Sequence, residues 1–79
     1  MDNHEFEQFV TEHGKDILRF CRMSAGSTER GNELYQDTMV KLLEKQKKLD
    51  AAQNIKSYAM QTAILLWKAR KIRRRNRHF

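Results

Sequence analysis

The stretch from Asn54 to Arg77 most constrains what this chain can become. Its first half carries Ile55, Tyr58, Ala59, Thr62, Ala63 and Leu66 at helical spacing, with Met60, Ile64 and Trp67 along the neighbouring face. A helix that is apolar around so much of its circumference needs cover from two directions. From Lys68 the character reverses. Lys68, Arg70, Lys71, Arg73, Arg74, Arg75 and Arg77 place seven cations in ten residues. The segment predicts one helix about 35 Å long at the standard rise per residue. It is rooted in a core and ends in a concentration of positive charge that suits a polyanion, nucleic acid first.

The rest of the chain has to supply that cover, and there is little of it. Its 79 residues make one domain, 1–79, and a chain of this size buries only roughly 60% of its unfolded surface. There is no room for an enzyme cleft walled by two layers. The absence of Pro and the presence of only three Gly argue against a sheet with tight turns. Good helix formers dominate instead. The expected class is all-α: a compact bundle of three to four helices with a long basic C-terminal helix.

Two further helices are readable. Asp2 or Asn3 can cap the first, which runs over about residues 4 to 23. Phe6, Phe9, Val10 and His13 share one face, and Ile17, Leu18, Phe20 and Cys21 resume it after Gly14. Gly14 predicts either two helical pieces or one bent helix. Gly26 suits a left-handed helix end, and Ser27 or Thr28 a new cap. The second helix then runs from about Thr28 to Lys47, with Leu34, Tyr35, Met39, Leu42 and Leu43 as its buried stripe. Gly31 costs this helix about 1 kcal/mol relative to Ala, tolerable in a first turn. A short loop follows, with Asp50 and Asn54 as capping residues and the third helix beginning at Asn54 or Ile55.

The charge is placed unevenly. Residues 1–40 carry a net −4 and residues 41–79 a net +10. Like charges packed along one helix end repel, and a bound polyanion offsets that cost; the bland alternative is a solvated helix face. His4, His13 and His78 lack the spacing of metal ligands, and Cys21 reads as a small buried hydrophobe. Neither catalysis, a metal nor a cofactor is expected. A lone cysteine fits a reducing cytoplasm. No apolar run approaches the roughly 18 residues of a membrane span, and the acidic start is unlike a signal peptide. The expected location is cytoplasmic.

The second helix adds another signal. Glu33, Gln36 and Asp37 share a face at i, i+3 and i+4, and such an acid–amide–acid trio can grip the Arg and Lys of a partner helix. An ordinary solvated face would have the same pattern.

In this order the segments resemble region 2 of the sigma factors of bacterial RNA polymerase, in particular the small extracytoplasmic-function (ECF) group. The resemblance spans about Phe6 to Arg77. Glu33-Leu34-Tyr35-Gln36-Asp37-Thr38-Met39-Val40-Lys41-Leu42 is similar to the family's acid-Leu-x-Gln-acid-Thr stretch, with the two acids of swapped length. Tyr58-Ala59-Met60-Gln61-Thr62-Ala63, through Trp67-Lys68 to Arg73-Arg74-Arg75, is similar to its aromatic-led helix with an arginine cluster. Each motif is short; their order and spacing carry the match. The chain departs from the pattern at Arg30-Gly31-Asn32, where the family has an acid–Ala–acid approach, and at Ile64-Leu65, where it often has Arg-Asn. Gln61 and Thr62 stand where housekeeping sigma factors carry two promoter-wedging aromatics, as is common in the ECF group. Nothing in the chain resembles the second helical domain of most ECF factors.

The resemblance implies that Glu33, Gln36 and Asp37 dock on the clamp helices of the polymerase's largest subunit. It implies that Asn54, Lys56, Ser57 and Gln61 hold the single-stranded −10 element of promoter DNA, while Lys68, Lys71, Arg73, Arg74 and Arg75 follow its phosphates. An anti-sigma factor is a further candidate partner. The alternatives from other classes are a stand-alone basic nucleic-acid-binding regulator, or a protein-interaction bundle for an acidic partner.

Phosphate contacts add affinity without reading sequence. Changing Arg73, Arg74 and Arg75 together to Ala should therefore weaken DNA binding equally for all sequences. On single-stranded DNA, the slope of log affinity against log salt should fall by roughly 0.7 for each phosphate that the tail ceases to neutralise. An unchanged slope would make the cluster a solvated helix end.

Overall fold

The computed structural model describes residues 1–76, with side chains through Arg70. Among the described residues the chain forms three α-helices: α1 (Asn3–Ala25), α2 (Thr28–Glu44) and α3 (Ile55–Asn76), with a 3₁₀ turn over Gln46–Lys48. The architecture is the all-α bundle that the periodicity predicts; α3 is a long helix of 22 described residues, and α1, with 23, is comparable.

The ends of α1 are fixed locally. Asp2 Oδ1 accepts the Glu5 N–H at 2.8 Å while Glu5 Oε1 accepts the Asp2 N–H at 3.1 Å, a reciprocal capping box. At the other end Gly26 adopts φ 78° and donates its N–H to the Arg22 carbonyl at 3.0 Å. That left-handed geometry is costly for any side chain, which is why glycine ends the helix here. Ser27 Oγ then accepts the Arg30 N–H at 3.2 Å and starts α2.

Three sequence expectations change. Gly14 does not divide α1, which is one continuous helix. Instead Gly14 is buried, and a Cβ there would lie 3.2 Å from the Tyr35 hydroxyl oxygen. The missing side chain makes room for Tyr35 of α2. The second change concerns the buried stripe of α2, which is Gly31, Leu34, Thr38 and Leu42. Tyr35 and Met39 are half-buried, and Leu43 is 52% exposed. A stripe centred on positions spaced by four turns Leu43 to solvent. Thr38 is tolerated inside because its hydroxyl donates to the Leu34 carbonyl at 2.8 Å. Helix α2 also stops three residues before the expected Lys47: the Lys45 N–H is shared between the Lys41 and Leu42 carbonyls, tightening the exit into the 3₁₀ turn.

The core lies where the three helices meet. Phe6, Phe9, Ile17 and Cys21 come from α1, Leu34 and Leu42 from α2, and Ile55, Ala59 and Ala63 from α3, with Leu49 closing the loop side. Complete burial of Ile17, Leu34 and Leu42 is each worth roughly 1.5–3 kcal/mol of transfer free energy. Cys21 is fully buried, as expected, and burial pushes its thiol pKa up, partly countered by a hydrogen bond involving Thr38. Helix α3 is covered by both α1 and α2, and the side away from them is open. Met60 and Trp67 are half-buried, but Ile64 of the second apolar line is 39% exposed. No helix among the described residues is long and apolar enough to cross a membrane.

Gly31 sets how closely α1 and α2 approach. A Cβ on it would lie 2.4 Å from the Arg22 Cα and 2.8 Å from the Arg22 nitrogen, both backbone atoms. Relief would require the two helices to move apart. Gly31→Ala should therefore destabilise by about 1–3 kcal/mol, the usual cost of overpacking, even though Ala is the better helix former. Gly14→Ala, which meets only the far end of a side chain, should stay within about 1 kcal/mol of the parent because the helix-propensity gain offsets a small shift of Tyr35. Urea or thermal unfolding of the two variants measures the contrast; equal losses would mean Gly31 is not the residue that sets the spacing.

Candidate polymerase and nucleic-acid interface

The sequence-predicted positions fall on two separate surfaces. Glu33, Gln36 and Asp37 are all exposed on α2. The first and last do not wait for an outside cation. Arg70 of α3 reaches across, with Nη1 3.4 Å from Glu33 Oε2 and Nη2 in contact with Asp37 Oδ2. The grip that the acid–amide–acid spacing suggests for a partner is thus made, in part, within the chain.

The second surface is the outer face of α3. Asn54, Ser57, Gln61 and Lys68 are exposed at spacings of three, four and seven, so they share one side of the helix. Ile64 and Leu65 stand between Gln61 and Lys68 on that same side, Leu65 at 67% exposure. Asn54 Oδ1 accepts the Ser57 N–H at 3.1 Å and so caps α3. The cap uses only the amide oxygen, so the Asn54 amide nitrogen keeps its donors for another group.

Lys56 does not join this face. It is half-buried on the side toward α1, where its Nζ lies 3.0 Å from Asp16 Oδ2. The hydrogen bond and charge of Lys56 hold the Asp16 carboxyl pKa below its ordinary value. Lys71, Arg73, Arg74 and Arg75 continue the helical backbone of α3, but their side chains lie outside the described residues.

Sequence reasoning missed three contributors, the pair Lys41 and Lys45 and the single Arg70. Lys41 of α2 and Lys45, which caps the end of that helix, flank a cavity of about 250 Å³, with Tyr58, Gln61, Thr62, Leu65 and Leu66 of α3 as its other wall. The Lys45 Nζ stands 5.9 Å from the centre of the Tyr58 ring, within cation–π range. The α3 face is therefore edged by two cations from the last turn and cap of α2. Their spacing of four was readable, but only packing brings them beside Gln61. The other is Arg70, which looked like one more cation in the basic run. Along the far edge, a cavity of about 340 Å³ lies between α1 and the start of α3, lined by Gln8, Phe9, His13, Asn54 and Lys56 among others. No group of three or more potential metal ligands occurs among the described residues.

A helical bundle with a polar face on one helix and an amide-and-acid face on its neighbour fits many binding modules, and comparison with known families narrows this. The family model for sigma-70 region 2 matches residues 9–78, and the chain belongs to that family. Its general role is therefore that of a sigma-factor domain, acting with RNA polymerase and promoter DNA in transcription initiation. The family is not a class of enzymes. Comparison with curated proteins and with solved structures finds no match.

The capping geometry makes a direct prediction. Asn54→Ala should lower stability by about 0.5–2 kcal/mol through loss of the α3 cap, whereas Asn54→Asp, which caps equally well, should leave it nearly unchanged. Thermal unfolding of both variants checks this; equal behaviour of the two would mean the cap is not what Asn54 contributes to stability.

Proposed function

We propose that this chain is an ECF-type region 2 module that docks on the clamp helices of the polymerase's largest subunit and holds the single-stranded −10 element. The observation that carries the reading is the exposed face of α3, Asn54–Ser57–Gln61–Lys68, leading into the cationic end of a chain of the sigma-70 region 2 family. Extruded bases need donors and acceptors for their edges. The free amide donors of Asn54, the Ser57 hydroxyl and the Gln61 amide offer these within two turns. Lys41 and Lys45 on one flank, and Lys56 on the other after exchange from Asp16, meet phosphates together with Lys68, Lys71, Arg73, Arg74 and Arg75. A cationic groove with a few base-edge contacts is the usual arrangement for capturing single strands.

Docking is assigned to α2. Gln36 is exposed there, and Glu33 and Asp37 keep much of their carboxylate surface open, so a basic partner helix finds an amide and two acids on one face. Opposite charges arranged in this way steer association and fix register.

Replacing Gln36 and Asp37 together with Ala should weaken binding to core RNA polymerase. Helical content should hold, and stability should change by no more than about 0.5 kcal/mol, as for other exposed polar positions. Binding measured by fluorescence anisotropy, alongside circular dichroism, decides between outcomes. Parent-like affinity for the double variant would remove this face from the docking site.

A further inference from the structure

Arg70 occupies a position that neither the docking face nor the basic tail accounts for. It belongs to the cationic run that begins at Lys68, yet its guanidinium is turned back onto α2. Its side chain is 27% exposed, while those of Glu33 and Asp37 are 57% and 49% exposed. The carboxylates are therefore open to a newcomer on the side away from Arg70. Glu33 and Asp37 stand one helical turn apart and repel each other. The fork of an arginine suits this arrangement because it offers separate N–H donors to each acid.

We propose that Arg70 is an internal competitor for the docking carboxylates. With no partner bound it closes over Glu33 and Asp37. When a cationic partner helix takes those carboxylates, Arg70 is released to the phosphate-binding end of α3. This rests on the docking reading above and adds a consequence to it: polymerase binding and DNA binding become linked through one side chain. A partly exposed ion pair is weak enough to be exchanged for another. Linkage is reciprocal, so DNA that holds Arg70 also opens the docking face.

The test uses the 79-residue chain and four variants. Arg70→Ala should bind core polymerase more tightly than the parent in the absence of DNA, by up to about five-fold, the upper range for an exposed pair. Arg70→Lys, which cannot bridge both acids, should fall between. On a single-stranded oligonucleotide without polymerase, Arg70→Ala should lower the salt slope by less than the roughly 0.7 of one full phosphate contact, because in the parent the carboxylates of α2 compete with DNA for that cation. The double variant Glu33→Gln/Asp37→Asn frees Arg70 and should steepen the slope by up to roughly 0.7, one phosphate contact. Adding Arg70→Ala to the double variant should abolish that gain, which separates released Arg70 from a general loss of negative charge.

Unchanged or weaker polymerase binding by Arg70→Ala overturns the competition. If the double variant nevertheless binds polymerase poorly, the docking reading survives alone. If the double variant binds polymerase like the parent, both fall. Thermal midpoints close to the parent's exclude unfolding as the source of any loss; a variant that melts early is replaced by Arg70→Gln, which keeps the stem that packs along the helix.

Discussion

The close approach of α1 and α2 is the constraint on which the rest of this structure depends. Helix axes come this near only where no Cβ intervenes, and Gly31 meets the backbone of Arg22 at a distance that any side chain would violate. Gly14 repeats the arrangement farther along α1, where the Tyr35 hydroxyl takes the space. With the two helices locked together, their combined surface presents Ile17, Cys21, Leu34 and Leu42 as one floor. Helix α3 then lies on that floor through Ile55, Ala59 and Ala63, again with two small residues where the helices touch. A bundle this small reaches interior packing density by bringing backbones close rather than by filling space with large side chains.

That packing sets the chemistry of the surface. Because α1 and α2 cover the inner side of α3, its opposite side is left as a continuous polar face interrupted by Ile64 and Leu65. Because α2 crosses beside it, Lys41 and Lys45 edge that face, and Arg70 reaches Glu33 and Asp37. The ion pairs that Lys56 and Arg70 make at the periphery are exposed or half-exposed, so they contribute little to stability and remain free to exchange partners. Stability and function are therefore separated in space. Among the described residues the interior is apolar apart from Thr38, and the exchangeable charges lie outside it.

Membership of the sigma-70 region 2 family gives these surfaces their context. Gly31 is the residue at the closest approach of α1 and α2. Ile64 and Leu65 both face solvent on the polar side of α3. A pair whose side chains offer no hydrogen bonds separates the polar stretch of that face, Asn54 to Gln61, from Lys68.

Much of this was determined by the sequence on its own. Helical periodicity is a local property, so the three helices, the caps at Asp2, Ser27 and Asn54, and the left-handed end at Gly26 follow from neighbouring residues. The burial of Cys21 and the placement of the basic run at one end of α3 follow in the same way. Tertiary structure decided the rest, because those questions concern residues far apart in the chain. Gly14 and Gly31 look like weak points in isolated helices, but Gly31 becomes the point of closest packing once a second backbone is present, and Gly14 gives room to the Tyr35 hydroxyl. Leu43 and Leu42 are equivalent as residues, and only the direction of the partner helices buries one and exposes the other. Lys56 and Arg70 carry the same charge as their neighbours, yet Asp16 and the Glu33–Asp37 pair draw these two inward. Local sequence can specify which groups are charged, but which charges meet depends on distances that exist only after the helices have packed.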